Sequence, residues 1–280
     1  MDNAHRINEG HRLGALQDPQ DPSKPVVERV RNPPISMLAP QTLTAMHLFA
    51  REAPGVVLEL GAYVGGGTLV LLDGARTGGR RVITIEEPVS HPTHPHIPTE
   101  NSVRDLRANL SRFAEASHHS LLEGASFEQW LLGSLLIRLM GEPIGFLAWD
   151  ADTMFDRDLA LLAPLLAPDC LLMADDYDAD NPKSAPISRR VDALVTEGLV
   201  ETIAVLPWGS WFGQLRRKPT AAELRRWQED WRRESAAGDL YAERFLDYWD
   251  RMSGADVLPV ITFEERGVFW RRAAEKALGR

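Results

Sequence analysis

Short apolar runs alternate with stretches of helical spacing along most of the chain, and this alternation limits the fold more than any other feature. The apolar runs are VVLEL (56–60), RVITI (81–85), SLLEG (120–124), IGFLAW (144–149), CLLMA (170–174), LVETIAVL (199–206) and SWFGQL (210–215). Apolar residues recur at helical spacing over 42–53, 100–116, 126–140, 155–166 and 187–197. Strands that alternate with helices typically form a parallel sheet with helices on both faces. The sequence therefore predicts an α/β fold built on such a sheet.

The two ends of the chain differ from this alternating region. Residues 1–40 are mostly polar and interrupted by prolines, so we expect an N-terminal arm or lid there. Residues 41–218 contain the alternation and are expected to form one domain. Residues 219–280 combine many charges with helical spacing. They predict a helical C-terminal extension that packs on the same domain or contributes a contact to a homo-oligomer, a dimer or higher.

The charge balance and the single cysteine narrow the classes of partner. Lys and Arg number 31 and Asp and Glu number 40, which gives a formal net charge of −9. This balance argues against nucleic acid as a partner, because phosphate binding needs a basic surface. The apolar runs are too short, or too interrupted by proline, to span a membrane. Cys170 has no second cysteine to pair with, which is typical of the reducing cytoplasm.

A glycine-rich turn follows the first predicted strand, in the sequence ELGAYVGGGT that begins at Glu59. Glycines let the backbone approach a ligand closely, and the N-terminus of the following helix favours negative charge. The spacing G-x-x-x-G-x-G differs from the G-x-G-x-x-G of dinucleotide-binding proteins, which weakens an NAD-dependent oxidoreductase as the interpretation. Glu86 ends the second strand, where an acid can accept hydrogen bonds from ribose hydroxyls. The alternative is a tight turn with two solvated carboxylates.

Acidic residues also follow the fourth and fifth predicted strands. The sequence Asp150-Ala151-Asp152 comes after IGFLAW, and Asp175-Asp176-Tyr177-Asp178 comes after CLLMA. The carboxyl ends of parallel strands meet at one edge of a sheet, so these carboxylates are expected to lie together and repel one another. A divalent cation that prefers oxygen ligands, such as Mg²⁺, Mn²⁺ or Ca²⁺, relieves that repulsion. The alternative is that the acids cap the following helices and face water.

The turn ELGAYVGGGT and the acid Glu86 resemble the first two motifs of the class I S-adenosylmethionine (SAM) methyltransferases. The resemblance implies a Rossmann-like, doubly wound, mostly parallel sheet of seven strands, with SAM over the ends of the first two. It implies that the glycine turn holds the methionine end of SAM, that Glu86 binds the ribose and that the residues after the third strand lie beside the adenine. The cofactor-binding residues expected from it are Glu59, Gly61, Ala62, Tyr63, Gly65, Thr68, Glu86, Gly124, Ala125, Ser126 and Asp150.

The pair of motifs D-x-D and D-D-Y resembles the metal-dependent O-methyltransferases that tailor antibiotic sugars, of the macrocin, novobiocin and cephamycin type. That resemblance implies Mg²⁺ or Mn²⁺ bound by Asp150, Asp175 and Asp176, with Asp152 as the general base. The chain departs from the pattern at Ala151, where glycine is usual, and at Thr153, where His or Tyr is common.

The expected activity is therefore SAM- and Mg²⁺-dependent methyl transfer to a hydroxyl of a sugar or a glycosylated small molecule. Two alternatives remain: methylation of a phenolic or carboxylate natural product, and binding of SAM or a nucleotide without catalysis. If Asp152 is a metal ligand, a histidine of the HPTHPHIP loop (91–98) is the next candidate base, although a zinc site or a plain surface loop also fits. Trp149 and Trp211 fit either a platform for a sugar or adenine ring or the core.

Overall fold

Seven strands form one sheet in the computed structural model, which describes residues 21–113, 118–126, 128–207 and 209–237. The strands are β1 (Val56–Leu60), β2 (Val82–Glu86), β3 (His119–Glu123), β4 (Ile144–Trp149), β5 (Leu166–Ala174), β6 (Val200–Leu206) and β7 (Ser210–Leu215). Their order across the sheet is β3-β2-β1-β4-β5-β7-β6. The predicted doubly wound, seven-stranded α/β fold is confirmed.

Eight helices surround the sheet within the described residues. They are α1 (Lys24–Arg31), α2 (Pro40–Glu52), α3 (Gly66–Thr77), α4 (Ser102–Phe113), α5 (Gln129–Leu139), α6 (Phe155–Leu162), α7 (Ala185–Thr196) and α8 (Ala221–Ala236). None of these helices is both long and apolar enough to cross a bilayer.

The pairing of the strands fixes where a ligand can bind. Strand β1 pairs in parallel with both β2 and β4, and β4 pairs in parallel with β5. Strand β7 runs antiparallel to β5 and β6. The chain proceeds from β1 outward to β3 and then returns to β4, so the strand order reverses beside β1. In open sheets of this kind, ligands bind in the crevice outside the carboxyl ends of the strands at the point of reversal.

Helices cover both faces of the sheet, which explains the uninterrupted apolar runs. Every residue of β1 and β4 is buried. Leu147 and Trp149 belong to one core cluster, and Phe146 and Ala148 belong to the other. Trp149 and Trp211 are almost fully buried and contact Phe155, with ring centroids 5.3 and 6.3 Å away. Both tryptophans are core residues, so the alternative of a ring-stacking platform is wrong.

Part of the expected N-terminal arm is helical, and residues 1–20 of it lie outside the described residues. Helix α1 lies where a polar loop is expected, and Val26, Val27 and Val30 are buried on one side of it. Valines spaced three and four apart form a helix face, and Pro25 is tolerated because it stands in the first turn. Strand β5 also begins earlier than expected, at Leu166 rather than Cys170. Proline and aspartate at 168 and 169 are accommodated where the register with β4 shifts.

Helix α8 of the C-terminal extension is anchored by polar contacts to the helices beneath it. Arg190 of α7 donates two hydrogen bonds of 2.9 Å to Asp156 of α6 and also pairs with Glu234 of α8. The indole nitrogen of Trp231 donates to Asp156 at 2.8 Å. The predicted amphipathic stretch at 240–252 lies outside the described residues.

Candidate functional site

A cavity of about 420 Å³ opens at the carboxyl ends of β1, β4 and β5, where the strand order reverses. Its volume suits a small-molecule ligand. Its wall combines the turn after β1, acids at three strand ends and the segment between α1 and α2. The lining residues are Ile35, Ser36, Met37, Leu38, Ala39, Met46, Glu59, Gly61, Ala62, Tyr63, Gly66, Gly67, His94, Ala148, Asp150, Met173, Asp175, Asp176, Lys183 and Ser210.

The turn after β1 needs glycine for two separate reasons. Gly61 has a φ of +80°, and a Cβ built there would lie 1.8 Å from the carbonyl oxygen of Asp150. A Cβ on Gly66, at the start of α3, would lie 2.2 Å from the carbonyl oxygen of Ile35. The first contact joins the turn to the end of β4, and the second holds the segment 35–39 against α3. The glycines thus bring three separate parts of the chain to the cavity.

Glu59 lies on the floor of the cavity and is only 3% exposed. Its Oε2 accepts hydrogen bonds from the hydroxyls of Thr68 (2.7 Å) and Thr84 (2.9 Å). Its Oε1 lies next to Gly67. Burial raises the pKa of Glu59 to about 7, although the two hydroxyls oppose that shift. A cationic ligand group above Glu59 would favour its ionised form.

Glu86 lies beneath the glycine turn and does not line the cavity. Its Oε2 accepts hydrogen bonds from the backbone nitrogens of Ala62 (2.7 Å) and Tyr63 (3.1 Å). Burial raises the pKa of Glu86, and these two amides partly offset the effect. Tyr63 also donates its hydroxyl to the carbonyl of Ile97 at 2.5 Å. Glu86 therefore helps to hold the shape of the turn, and its expected contact with ribose stays a prediction.

Three predicted metal ligands, Asp150, Asp175 and Asp176, line the same cavity. Desolvation by the surrounding protein raises the pKa of Asp150 well above its usual range, and the charges of Asp175 and Asp176 add to the effect. Asp150 is nevertheless open to solvent through the cavity. Burial also raises the pKa of Asp175 to about 6. The structure thus brings the three carboxyl groups to one cavity, as the sequence predicts.

Two partners hold this acidic cluster in place. Ser210 donates to Asp175 Oδ1 at 2.6 Å, and its own hydroxyl lies 2.8 Å from that of Thr42. Lys183 donates from Nζ to Asp176 Oδ2 at 2.9 Å. Lys183 itself is largely exposed, with 79% of its side chain accessible.

The donor set suits a hard divalent cation, because carboxylate oxygens that repel one another are the ligands that Mg²⁺ and Mn²⁺ prefer. The three carboxylates do not, however, converge on a single position where a cation could bind. Within the described part of the chain, no three His, Cys, Asp or Glu side chains are already arranged as metal ligands. The ammonium group of Lys183 instead balances part of the charge. The chemistry of the residues therefore fits the cation, and binding requires the side chains to close on it.

Asp152 is positioned away from this cavity. Its Oδ2 accepts a hydrogen bond of 2.8 Å from Arg157, and its Oδ1 accepts one of 2.7 Å from the backbone nitrogen of Met154. Arg157 is buried and also contacts Asp158 at 2.8 Å. Both oxygens of Asp152 therefore accept hydrogen bonds in the short loop before α6. Asp152 therefore neither caps α6 nor faces water, as the alternative expects, and its pairing with Arg157 does not favour it as the general base.

The residues after β3 are also drawn into that network. Ser126 donates its hydroxyl to Asp158 at 2.6 Å and lies 3.3 Å from Arg157. Ala125 is part of the core, and Gly124 has a φ of +142°. None of these three lines the cavity, so the expected contact with adenine is not supported by their placement.

His94 is the histidine of the loop 91–98 that lines the cavity. Its Nδ1 accepts hydrogen bonds from the backbone nitrogens of His96 (3.3 Å) and Ile97 (3.2 Å). Its ring centroid lies 5.9 Å from that of Tyr63. With Nδ1 used as an acceptor, the neutral ring carries its proton on Nε2 and presents a donor.

Sequence reasoning missed Lys183, Ser210 and the segment 35–39. Lys183 lies in a polar loop with no local signal beyond one cation seven residues after Asp176. Ser210 reaches Asp175 because β7 runs antiparallel to β5, a pairing that local sequence does not show. The segment 35–39 is fixed by its contact with Gly66, which is far away in sequence.

Comparisons with known proteins show the fold. No family model matches the chain, and no curated protein is similar to it in sequence. Among solved structures it is similar to the O-methyltransferase NovP, with 15% identity and a TM-score of 0.52, over 76% of this chain and 100% of that one. The SAH-bound methyltransferase PaMTH1 of Podospora anserina matches with 17% identity and a TM-score of 0.50, over 71% and 88%. Cofactor-bound Rv0187 from MTB matches with 19% identity and a TM-score of 0.50, over 70% and 88%.

Proposed function

We propose that this protein is a SAM-dependent O-methyltransferase that uses a divalent cation. One observation carries the proposal: a single cavity joins the glycine turn after β1 to three carboxylates at the ends of β4 and β5. The turn fits the cofactor, and the carboxylates fit a cation that binds the acceptor hydroxyl. The likeness in fold to solved methyltransferases supports the same interpretation.

In this proposal the cofactor lies over the turn of Gly61, Ala62 and Tyr63 with its methionine end near Glu59. Glu59 Oε1 is the free carboxylate oxygen that faces the ammonium group. Gly65 and Thr68 support the site indirectly. Gly65 is the N-cap of α3 with a φ of +90°, and Thr68 orients Glu59 by a hydrogen bond. SAM supplies an electrophilic methyl group on a sulfonium, so the protein's main task is to position the acceptor oxygen in line with it.

Asp150, Asp175 and Asp176 would hold Mg²⁺ or Mn²⁺, and Asp150 would also border the cofactor. The cation would act as a Lewis acid that makes the acceptor hydroxyl easier to deprotonate. Ser210 orients Asp175 for this role through its 2.6 Å hydrogen bond. A cation held by Asp176 would compete with the ammonium group of Lys183, which pairs with Oδ2 of that residue.

The group that takes the proton stays a prediction. Asp152 is the expected base, but it is paired with Arg157. His94 faces the cavity and is the alternative, although its neutral ring presents a donor. It accepts a proton at Nε2 only if Nδ1 carries the hydrogen instead, which breaks its bonds to the backbone at 96 and 97.

The expected acceptor is a hydroxyl of a sugar or of a glycosylated small molecule, as the resemblance of the aspartate motifs implies. A second candidate is a phenolic hydroxyl. Met37, Met46 and Met173 line the cavity, and methionine side chains make favourable contacts with aromatic rings. These apolar residues favour an acceptor with a flat apolar body.

Titration of the full chain with SAM in a calorimeter tests the cofactor part of the proposal. The wild type is expected to bind SAM, and Glu59→Gln is expected to bind it about tenfold more weakly because it loses the charge that faces the ammonium. His47→Gln is a matched control, since His47 is buried beside Asp73 in a pair with no contact to the turn. Absence of SAM binding to the wild type would overturn the proposal. A panel of sugar and phenolic hydroxyls with labelled SAM then separates the two acceptor classes.

A further inference from the structure

A line of three polar side chains crosses the face of the sheet from its outer edge to the floor of the cavity. His119 lies on β3, the edge strand, Thr84 lies on β2, and Glu59 lies on β1. Glu59 is paired in register with Thr84, and Thr84 is paired with Leu121. His119 stands two residues before Leu121 and therefore points to the same face. The three strands thus place the three side chains in one row.

The hydrogen bonds along this row have a fixed direction. The Thr84 hydroxyl donates its single proton to Glu59 Oε2 at 2.9 Å. The distance from His119 Nε2 to the same hydroxyl oxygen is 3.0 Å. When Glu59 is ionised, the hydroxyl proton is given to it, so the imidazole must donate to the hydroxyl and Nε2 carries the hydrogen. Burial lowers the pKa of His119 to about 4, so the ring is neutral at physiological pH.

We infer that His119 is a positioning residue for cofactor binding, which acts on Glu59 through the hydroxyl of Thr84. The donor of His119 prevents the Thr84 hydroxyl from rotating away and so keeps its proton on Glu59 Oε2. With Thr68 on the same oxygen, Oε1 is left as the atom that faces the ligand. Hydrogen bonds in such a chain polarise one another, so the bond from His119 to Thr84 strengthens the bond from Thr84 to Glu59. The inference rests on the proposed function, because it assigns Glu59 to the cofactor.

His119 does not line the cavity. A residue that serves only in packing could occupy the same position and make the same contacts. The two roles differ in one respect. A packing role does not depend on the hydroxyl of Thr84, whereas a positioning role ends when that hydroxyl is removed. Thr84→Val keeps the shape of the side chain and removes only the hydroxyl. His119→Leu removes the donor, and His119→Gln keeps an amide donor at similar reach.

SAM affinity of the full chain, measured by calorimetry, tests the inference. His119→Leu is expected to bind SAM about fivefold more weakly than the wild type, and His119→Gln is expected to stay within about twofold of it. In the Thr84→Val background the same leucine change is expected to alter affinity by less than about twofold. The inference is overturned if the leucine variant binds like the wild type, or if its effect is the same in both backgrounds.

Two further variants separate this inference from the proposed function. Glu59→Gln is expected to weaken SAM binding whether or not His119 matters. If Glu59→Gln weakens binding and His119→Leu does not, the inference alone fails. If the wild type binds no SAM, both fail. His47→Leu removes a buried imidazole that pairs with Asp73 instead, and it is expected to leave SAM affinity unchanged. An equal loss of affinity in that variant would point to general damage and overturn the inference.

Discussion

Arg157 lies 2.8 Å from Asp152, and the two side chains form a largely buried ion pair at the start of α6. Only 1% of the Arg157 side chain and 14% of the Asp152 side chain are exposed. The pair therefore ties the residue expected to be the base to a structural network that also includes Asp158. The contribution of this ion pair can be measured as a change in the free energy of unfolding.

Asp152→Asn is expected to destabilise the fold by about 2 kcal/mol, because it leaves Arg157 with only part of its charge compensated. The amide oxygen can still accept the bond from the backbone at 154, so the loss is confined to the ion pair. Urea unfolding of both proteins measures the change. A variant that keeps its stability but loses methyl transfer would restore Asp152 as the base.

Removal of Lys183 is expected to strengthen metal binding. Its ammonium group occupies Asp176 Oδ2 at 2.9 Å, so a divalent cation must displace it. Lys183→Met should therefore raise the affinity for Mg²⁺ by about threefold to tenfold, measured by calorimetry on the full chain. Lys183→Arg is the control that keeps the charge. Equal or weaker affinity in the methionine variant would show that Lys183 does not compete for the site.

Removal of the Glu86 carboxylate is expected to loosen the glycine turn. Two backbone amides, those of Ala62 and Tyr63, lose their acceptor in Glu86→Ala. Each buried amide without a partner costs about 1–3 kcal/mol, so both stability and SAM affinity should fall. Glu86→Gln keeps an acceptor oxygen and should lose less of each. Thermal unfolding with and without SAM measures both effects, and an alanine variant that binds SAM as the wild type does would reject any role in cofactor binding.

The stability of the fold is expected to depend on His119 below pH 6.5. Burial lowers the pKa of His119 from 6.5 to about 4, so the unfolded chain binds a proton between these values that the folded chain does not. Stability from this group is therefore present above pH 6.5 and is lost as the pH falls through 4, by about 3 kcal/mol in total.

The comparison with His119→Gln isolates this contribution, since glutamine does not titrate. Buried acids such as Glu59 act in the opposite direction, because their raised pKa values make the folded chain bind protons first. They are present in both proteins and cancel in the difference. A difference in unfolding free energy that stays constant from pH 7 to pH 4 would contradict the half-buried, neutral state of His119.

The sheet could be predicted from the sequence because each strand is recognisable from its own residues. The runs of β1 and β4 are buried on both faces, so their side chains are almost all apolar, and this makes the strands evident. The acids at 150, 175 and 176 could be placed together because parallel strands end at one edge. These inferences need only the order of the elements.

Other parts of the site depend on contacts between distant residues, and the sequence could not show them. The pairing of Asp152 with Arg157 places an expected base in a structural ion pair, although both residues lie in the same short segment. Ser210 reaches Asp175 across the antiparallel pair of β7 and β5. The row from His119 to Glu59 depends on the register of three strands, which spacing along the chain does not contain.

Methyl transfer from labelled SAM, measured with EDTA and then with added Mg²⁺, tests the central claim most directly when Asp175→Asn is assayed beside the wild type. We expect both proteins to bind SAM. We expect the wild type to lose turnover in EDTA and to regain it with Mg²⁺, and the variant to stay inactive in both. Turnover that resists EDTA, or an Asp175→Asn variant as active as the wild type, would contradict the account.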